Sequence, residues 1–163
     1  HDTVDAWRTG LRHGLDHQRL DAARNLYMER ATDALVGLVE VEAPESMVSG
    51  DLQARVQNTV ERFQSQGIAL DQWLQATGQD PASFVEALKE QSVKAVKLDL
   101  ALRAVAAAEG IDIGPDDLDA EYARIALQVG QKPAAVRKAY ESNDAVGEIS
   151  EQLRKSRALD WLL

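Results

Sequence analysis

The amino-acid sequence predicts an elongated all-α protein with a long helical hairpin arm. Aromatic residues make up only 5% of the 163 residues, and the apolar 45% is mostly Ala, Leu and Val, which suits helix packing better than sheet packing. Apolar residues also recur at spacings of three and four along most of the chain. Proline and glycine stand between these periodic segments, where they start and stop helices.

The first periodic segment predicts one helix of about 36 residues, well above the usual length of ~11. Asp2 or Thr3 can cap its N-terminus. Its apolar positions are Val4, Trp7, Leu11, Leu15, Ala22, Ala23, Leu26, Tyr27, Ala31, Ala34, Leu35 and Leu38. Valine and glutamate alternate after this helix, so residues 39–43 are predicted to form an extended connector.

A second helix is predicted to begin at Pro44, because the fixed φ of proline suits the first helical position, and to stop at Gly67. Its apolar residues are Met47, Val48, Leu52, Val56, Val60 and Phe63. A short helical segment, LDQWLQAT, follows and ends at Gly78.

Asp80 then caps a third long helix, which Pro81 opens and which runs to Gly110. From Ala95 to Ala108 this helix is apolar almost all the way round, so we expect other helices to enclose it. The second and third helices are joined by the compact LDQWLQAT connection. We therefore expect residues 44–110 to form an antiparallel hairpin arm.

Three further helices are predicted in the C-terminal part of the chain. Proline opens the first two, which run from Pro115 to Gly130 and from Pro133 to Asn143. Asn143 or Asp144 can cap the last helix, which reaches the C-terminus. The chain has no internal repeat or low-complexity tract, and its predicted helices are joined by short turns.

Charge and composition exclude several classes of function. The formal net charge of −9 argues against a nucleic-acid partner, because affinity for nucleic acid comes mainly from Lys and Arg. The absence of cysteine excludes thiol catalysis, disulfides and thiolate metal sites. No apolar run approaches the ~20 residues that cross a bilayer, so a membrane is not a predicted partner either. The N-terminus, HDTVDAWR, is neither a signal peptide nor a Met start, and we expect the chain to be a piece of a longer protein.

His13 and His17 lie four residues apart, the spacing with which H-E-x-x-H enzymes bind zinc. Gly14 stands where the catalytic glutamate would be, and His1 is the one further histidine in the sequence. We therefore interpret the pair as part of a solvated helical face. The sequence also has neither a nucleophile elbow nor a glycine-rich phosphate loop. No catalytic residue, cofactor or metal is predicted, and the chain itself is not expected to be an enzyme.

Two acidic runs, in residues 40–45 and 116–121, can be interpreted as calcium ligands or as paired carboxylates. Both runs lie where helices are predicted to begin. Because negative side chains complement the positive end of the helix dipole, we favour this structural role over a calcium site.

Five stretches, taken in order, resemble the C-terminal chaperone domain of the bacterial trigger factor family. They are DTVDAWRTGLRHGLDHQRLDAAR, VEAPESMVSGDL, LDQWLQATG, AAEGIDIGPDDLDAEYARIALQVGQKPAAVRKAY and ALDWLL. They resemble the linker helix, the arm entry, the arm tip, the second arm and the closing apolar segment of the family. Gly114 and Ala69 depart from the pattern, since each stands where a Ser or Thr helix cap is usual.

The resemblance implies one chaperone domain over residues 1–163, with a linker helix and connector in 1–43, the first arm in 44–110, and the second arm and closing helix in 111–163. It implies an ATP-independent chaperone of the cytoplasm that binds unfolded or nascent polypeptides and aids protein folding, with the wider family roles in protein transport and cell division. The family's ribosome-binding domain and its FKBP-like prolyl isomerase domain have no counterpart in this sequence. Ribosome contact and isomerase activity are therefore implied only for the full-length form.

A chaperone of this kind needs apolar patches between solubilising charges rather than a catalytic group. The candidates for these patches are large apolar side chains of the two arms and the closing helix. We predict ten client-binding residues: Met47, Val48, Leu52, Val56, Phe63, Trp73, Leu74, Tyr122, Tyr140 and Trp161. Packing in the protein core is the alternative for each of them. Exposed apolar surface would also favour a weak homodimer.

Three other functions remain open at this point. A helical scaffold or adaptor would form one tight, saturable complex with a defined partner and would ignore unfolded clients. A periplasmic chaperone of outer-membrane proteins, which has a similar helical body, would carry a secretion signal upstream. A metalloenzyme using His13 and His17 would bind at least one equivalent of zinc.

Overall fold

The computed structural model describes residues 3–163, which form seven α-helices and no strand. The helices are α1 Val4–Gly37, α2 Glu45–Ser65, α3 Leu70–Thr77, α4 Pro81–Ala108, α5 Pro115–Val129, α6 Pro133–Ser142 and α7 Val146–Leu162. The all-α prediction is confirmed. His1, the third histidine of the sequence, and Asp2, a candidate helix cap, lie outside the described residues. The chain divides into two compact units, one formed by the residues up to Glu40 together with Leu163, and the other by residues 41–162.

The first unit consists mainly of α1, whose 34 residues come close to the predicted length. The Thr3 hydroxyl caps it by accepting a hydrogen bond from the Ala6 N–H at 3.2 Å. None of the residues of α1 is buried. Its exposed large apolar residues are Val4, Trp7, Leu11, Leu15, Leu20, Leu26, Tyr27 and Met28. The apolar repeat therefore predicts the helix correctly, although it does not correspond to burial.

Two predicted helix starts differ from the structure. Pro44 precedes α2 rather than opening it, because its ψ of 127° is extended and its carbonyl accepts the first helical hydrogen bonds. Helix α7 begins at Val146, two residues after Asp144, which adopts a left-handed φ of 54°. Neither Asn143 nor Asp144 is therefore the residue immediately before this helix, and the Ala145 carbonyl accepts its first hydrogen bond.

Other predicted helix starts are confirmed. Asp80 caps α4, since its carboxylate accepts hydrogen bonds from the Ser83 N–H at 2.9 Å and the Ser83 hydroxyl at 3.0 Å. These bonds lower the pKa of Asp80, with the backbone bond as the largest cause. Ala69 and Gly114 stand where a Ser or Thr cap is usual. Ala69 makes no side-chain hydrogen bond to cap α3. Before α5, the Gly114 N–H donates to the Asp117 carboxylate at 2.8 Å.

Within the second unit, α2 and α4 pack against each other as an antiparallel hairpin, with α3 in the connection. Residues 47–51 lie beside residues 95–103, and residues 55–63 lie beside residues 84–91. Helix α4 also packs against α7. Helix α4 is nevertheless not fully enclosed, because Ala104, Ala107 and Ala108 remain exposed. The predicted enclosure of this segment is therefore wrong for one of its faces.

The C-terminal helices share a small apolar core. It consists of the buried side chains of Tyr122 and Ala126 on α5, Val136 on α6 and Ile149 on α7. Leu118, Ile125 and Tyr140 pack against it. Because this core draws on three helices, it fixes α5 and α6 relative to α7.

Candidate functional site

Three of the ten predicted client-binding residues are buried. Val48 is 6% exposed, Leu74 is 7% exposed and Tyr122 is 3% exposed. Tyr122 belongs to the core of α5, α6 and α7, where its ring lies 5.7 Å from the ring of Tyr140. A client cannot reach these three side chains in this conformation, so for them the packing alternative holds.

The other seven predicted residues are accessible to different degrees. Met47 and Trp161 are exposed, and the remaining five are half-buried: Leu52, Val56, Phe63, Trp73 and Tyr140. Met47 lines a shallow cavity of about 400 Å³ between the start of α2 and the middle of α4, together with Ala95 and Val96. The predicted residues thus do not all come together, and those of the hairpin form the largest group.

An aromatic cluster joins the three helices of the hairpin. The ring centroids of Phe63 and Trp73 lie 5.2 Å apart with planes inclined at 45°, and those of Trp73 and Phe84 lie 6.3 Å apart with planes inclined at 64°. These distances are typical of tilted and edge-to-face aromatic contacts. The guanidinium of Arg62 lies 5.9 Å from the Phe63 ring centroid, within cation–π range.

Two cavities lie on the hairpin, and the first of them is lined by this cluster. One, of about 460 Å³, opens between α2 and α4 and is lined by Arg55, Asn58, Thr59, Arg62, Phe63, Trp73, Phe84, Leu88 and Gln91. The other, of about 540 Å³, lies along α3 and includes Leu70, Leu74 and Pro81. Both volumes fall in the range of ~300 to ~1,000 Å³ that is usual for ligand sites. Each cavity could hold a large apolar side chain.

Ion pairs connect α7 to α4. The Lys155 ammonium donates to Asp99 at 2.5 Å, and Arg103 donates to the same carboxylate at 2.8 Å. Arg103 also lies 3.6 Å from Glu151 on α7. Burial of Asp99 opposes its ionisation, but the bonds from Lys155 and Arg103 outweigh burial and lower the pKa of Asp99.

The acidic run before and within α5 is also engaged in ion pairs. Arg157 of α7 pairs with Asp117, and Arg154 lies 3.2 Å from Asp112. The pKa of Asp117 is lowered, mainly by the hydrogen bond from the Gly114 N–H and next by the hydrogen bond from Arg157. Asp117 is thus a capping and ion-pairing group, and Asp112 is an ion-pairing group.

The His13 and His17 rings stack with their centroids 5.8 Å apart. Among residues 3–163, no three His, Cys, Asp or Glu side chains come together in a way that could hold a metal ion. Within the same residues, no helix combines the length and the hydropathy needed to cross a lipid bilayer.

A family model for the C-terminus of the bacterial trigger factor protein matches residues 3–163. The chain belongs to the bacterial trigger factor family. This membership supports a chaperone role, and it confirms the resemblance on which the sequence prediction rests.

Trigger factors from Staphylococcus carnosus and Bacillus mycoides are each 29% identical to the chain and match 99% of it. The matches take up 36% and 37% of those two proteins, so the chain spans little more than a third of the length of these curated relatives. A solved structure of trigger factor domains from Thermotoga maritima matches 83% of this chain and 78% of its own, with a TM-score of 0.61 and 22% identity. That likeness supports the fold.

In this trigger factor domain, the ten predicted residues leave out several accessible apolar positions, and Phe84 and Leu127 are two of them. Phe84 completes the aromatic cluster, and its place in the first turn of α4, directly after the short connection, could have indicated contact with Trp73. Leu127 is 86% exposed on α5. It lies outside the stripe of Leu118, Tyr122 and Ile125, which are spaced at helical intervals and pack in the core of α5, α6 and α7.

Proposed function

We propose that the chain is a client-binding chaperone domain, which holds unfolded or nascent polypeptides without ATP and thereby aids their folding. The single observation that supports this most directly is the set of apolar side chains on the hairpin of a trigger factor domain that are exposed or only half-buried. It comprises Met47, Leu52, Val56, Phe63 and Trp73. Weak, adaptable apolar contacts of this kind bind many sequences, whereas a dedicated partner site needs a shaped interface.

The proposal extends to the full-length protein. We propose that the chain forms part of a cytoplasmic, ribosome-associated trigger factor, in which ribosome binding and prolyl isomerisation belong to separate domains. The net charge of −9 supports a protein client rather than nucleic acid. A weak homodimer through the same apolar surface also belongs to this proposal.

The function can be tested by light scattering. A chemically denatured model protein is diluted with and without the 163-residue protein, in the absence of ATP. We expect the protein to suppress aggregation at a several-fold molar excess. Unchanged aggregation at that excess would contradict the proposal, and one tight, saturable complex with a single cellular protein would favour a scaffold instead.

Substitutions then test the surface. Met47→Ser and Trp73→Ser should each weaken suppression, because each removes apolar area worth ~25 cal/mol per Å² of contact with a client. Val129→Ser is the matched control, since Val129 is exposed at the end of α5 outside the proposed surface. Circular dichroism and urea unfolding accompany each variant. A variant that loses helicity in proportion to its loss of suppression would assign that residue to the core.

A further inference from the structure

The groove of about 460 Å³ between α2 and α4 has an unusual chemical lining for a protein with a net charge of −9. Three aromatic rings, Phe63, Trp73 and Phe84, stand in its wall. Both charged residues that line it are arginines, Arg55 and Arg62, and no carboxylate is among its lining residues. The groove is thus an aromatic site with a positive rim.

The two arginines differ in how much of their charge is available. Arg55 forms an ion pair with Asp51, one turn earlier on α2, so its charge is largely neutralised. Arg62 is exposed and lies over the Phe63 ring, and it forms no ion pair with the described residues 3–163. The positive charge at the rim therefore comes mainly from Arg62.

The aromatic rings leave room for another apolar group. Phe63, Trp73 and Phe84 are half-buried, so each keeps part of its surface accessible. Such rings accept a further aromatic ring in an offset or edge-to-face arrangement. Asn58 and Gln91 line the same groove, and their side-chain amides can both donate to and accept from an extended peptide backbone.

We infer that this groove selects unfolded segments in which a carboxylate lies next to an aromatic residue. The aromatic side chain enters between the rings, and the neighbouring carboxylate bonds to the Arg62 guanidinium, whose planar fork matches a carboxylate. This inference rests on the proposed chaperone function and specifies the client sequences that one part of its surface prefers.

The groove and the whole protein favour opposite charges. A net charge of −9 attracts basic segments over long distances, whereas the rim of the groove favours acidic ones in direct contact. Salt separates the two effects, since at ~0.15 M the screening length is only ~8 Å. The preference for acidic segments should therefore become clearer at physiological salt than at low salt.

The test uses three short, unstructured, dye-labelled peptides that differ only in the two residues flanking a central tryptophan, which are Asp, Asn or Lys. Fluorescence anisotropy gives the affinity of the 163-residue protein for each peptide at physiological salt. We expect the Asp peptide to bind about three- to fivefold more tightly than the Lys peptide, as for a partly exposed ion pair.

Charge variants identify the residue that is responsible. Arg62→Glu should abolish or reverse the preference, and Arg62→Gln should reduce it. Lys138→Glu changes the net charge by the same amount as Arg62→Glu, but on an exposed position of α6 outside the groove, and should leave the preference intact. Equal affinities for the three peptides, or a preference for the Lys peptide, would overturn the inference while leaving the chaperone proposal standing. Failure to bind any peptide, together with unchanged aggregation in light scattering, would overturn both.

Discussion

The pair between Lys155 and Asp99 is expected to hold α7 against α4, and Lys155→Met tests this. Methionine keeps most of the length of the lysine side chain but removes its charge. The two side chains are 19% and 21% exposed, and the nitrogen–oxygen distance is 2.5 Å. Fully exposed pairs contribute ~0.2 to ~1 kcal/mol, and removing one member of a buried pair costs ~3 to ~5 kcal/mol. Because both side chains are about one-fifth exposed, we expect Lys155→Met to lower the free energy of unfolding by a value between these limits, about 2 kcal/mol.

The sign of the pH dependence follows from the pKa of Asp99, which is lowered in the folded protein. A carboxylate with a lowered folded pKa contributes stability above its unfolded value, ~3.9, and loses this contribution as the pH falls through the folded value. The difference between the wild type and Lys155→Met should therefore be fully present at neutral pH and should shrink as Asp99 becomes protonated. In the variant, burial of Asp99 is offset only by Arg103, so the pKa of Asp99 should rise.

Urea unfolding followed by circular dichroism at neutral and acidic pH measures both effects. Lys138→Met is the matched control, because Lys138 is an exposed lysine on α6. A double-mutant cycle with Asp99→Asn separates the pair from the other contacts of each residue. A loss below ~0.5 kcal/mol, within the usual range of surface substitutions, would refute the reasoning. The same would hold if the loss were equal at both pH values.

Two further predictions concern packing in the second unit. Ser92 on α4 is 0% exposed, and its hydroxyl donates to the Leu88 carbonyl of its own helix. In urea unfolding, Ser92→Ala should have a free energy of unfolding within ~0.5 kcal/mol of the wild type, because the bond lies within the helix. Ser92→Leu should lower it by ~1 to ~3 kcal/mol, because the larger side chain overfills the site. A large loss in Ser92→Ala would mean that the hydroxyl rather than the small volume matters. Ile149→Ala should lower the free energy of unfolding by ~2 to ~5 kcal/mol, because Ile149 lies in the core of α5, α6 and α7. Leu127→Ala is the exposed control and should change this free energy by less than ~0.5 kcal/mol. Equal effects of these two substitutions would contradict the burial pattern.

The helix boundaries could be predicted largely because the required backbone conformations are local. Gly67, Gly78, Gly110 and Gly130 stand just after the predicted helix ends, and all four adopt φ values between 63° and 72°. Only glycine adopts this region without strain, so each glycine indicates the end of a helix regardless of tertiary structure. Asp144 shows the limit of this reasoning, because a non-glycine residue with a φ of 54° carries no comparable signal.

The accessibility of individual apolar residues could not be predicted in the same way. Met47 is exposed and Val48 is buried, although they are neighbours on α2. The neighbours Trp73 and Leu74 on α3 differ in the same way, since Trp73 is half-buried and Leu74 is buried. Successive helical residues point about 100° apart, so the position of the neighbouring helix decides which of the two is covered. That position depends on the tertiary packing of the hairpin, which periodicity within one helix does not contain.

The distribution of charge was even less accessible from the sequence, because the ion pairs of α7 join residues far apart in the chain. Lys155 and Asp99 are 56 positions apart, Arg154 and Asp112 are 42 apart, and Arg157 and Asp117 are 40 apart. A net charge of −9 predicts only an average preference for basic partners. The structure shows that several acidic side chains are already neutralised by α7, while Arg62 stands beside the aromatic rings without an ion-pair partner among residues 3–163. Local selectivity for a client should therefore follow the unpaired charge at the groove, and the average charge should govern only the approach of the client from a distance.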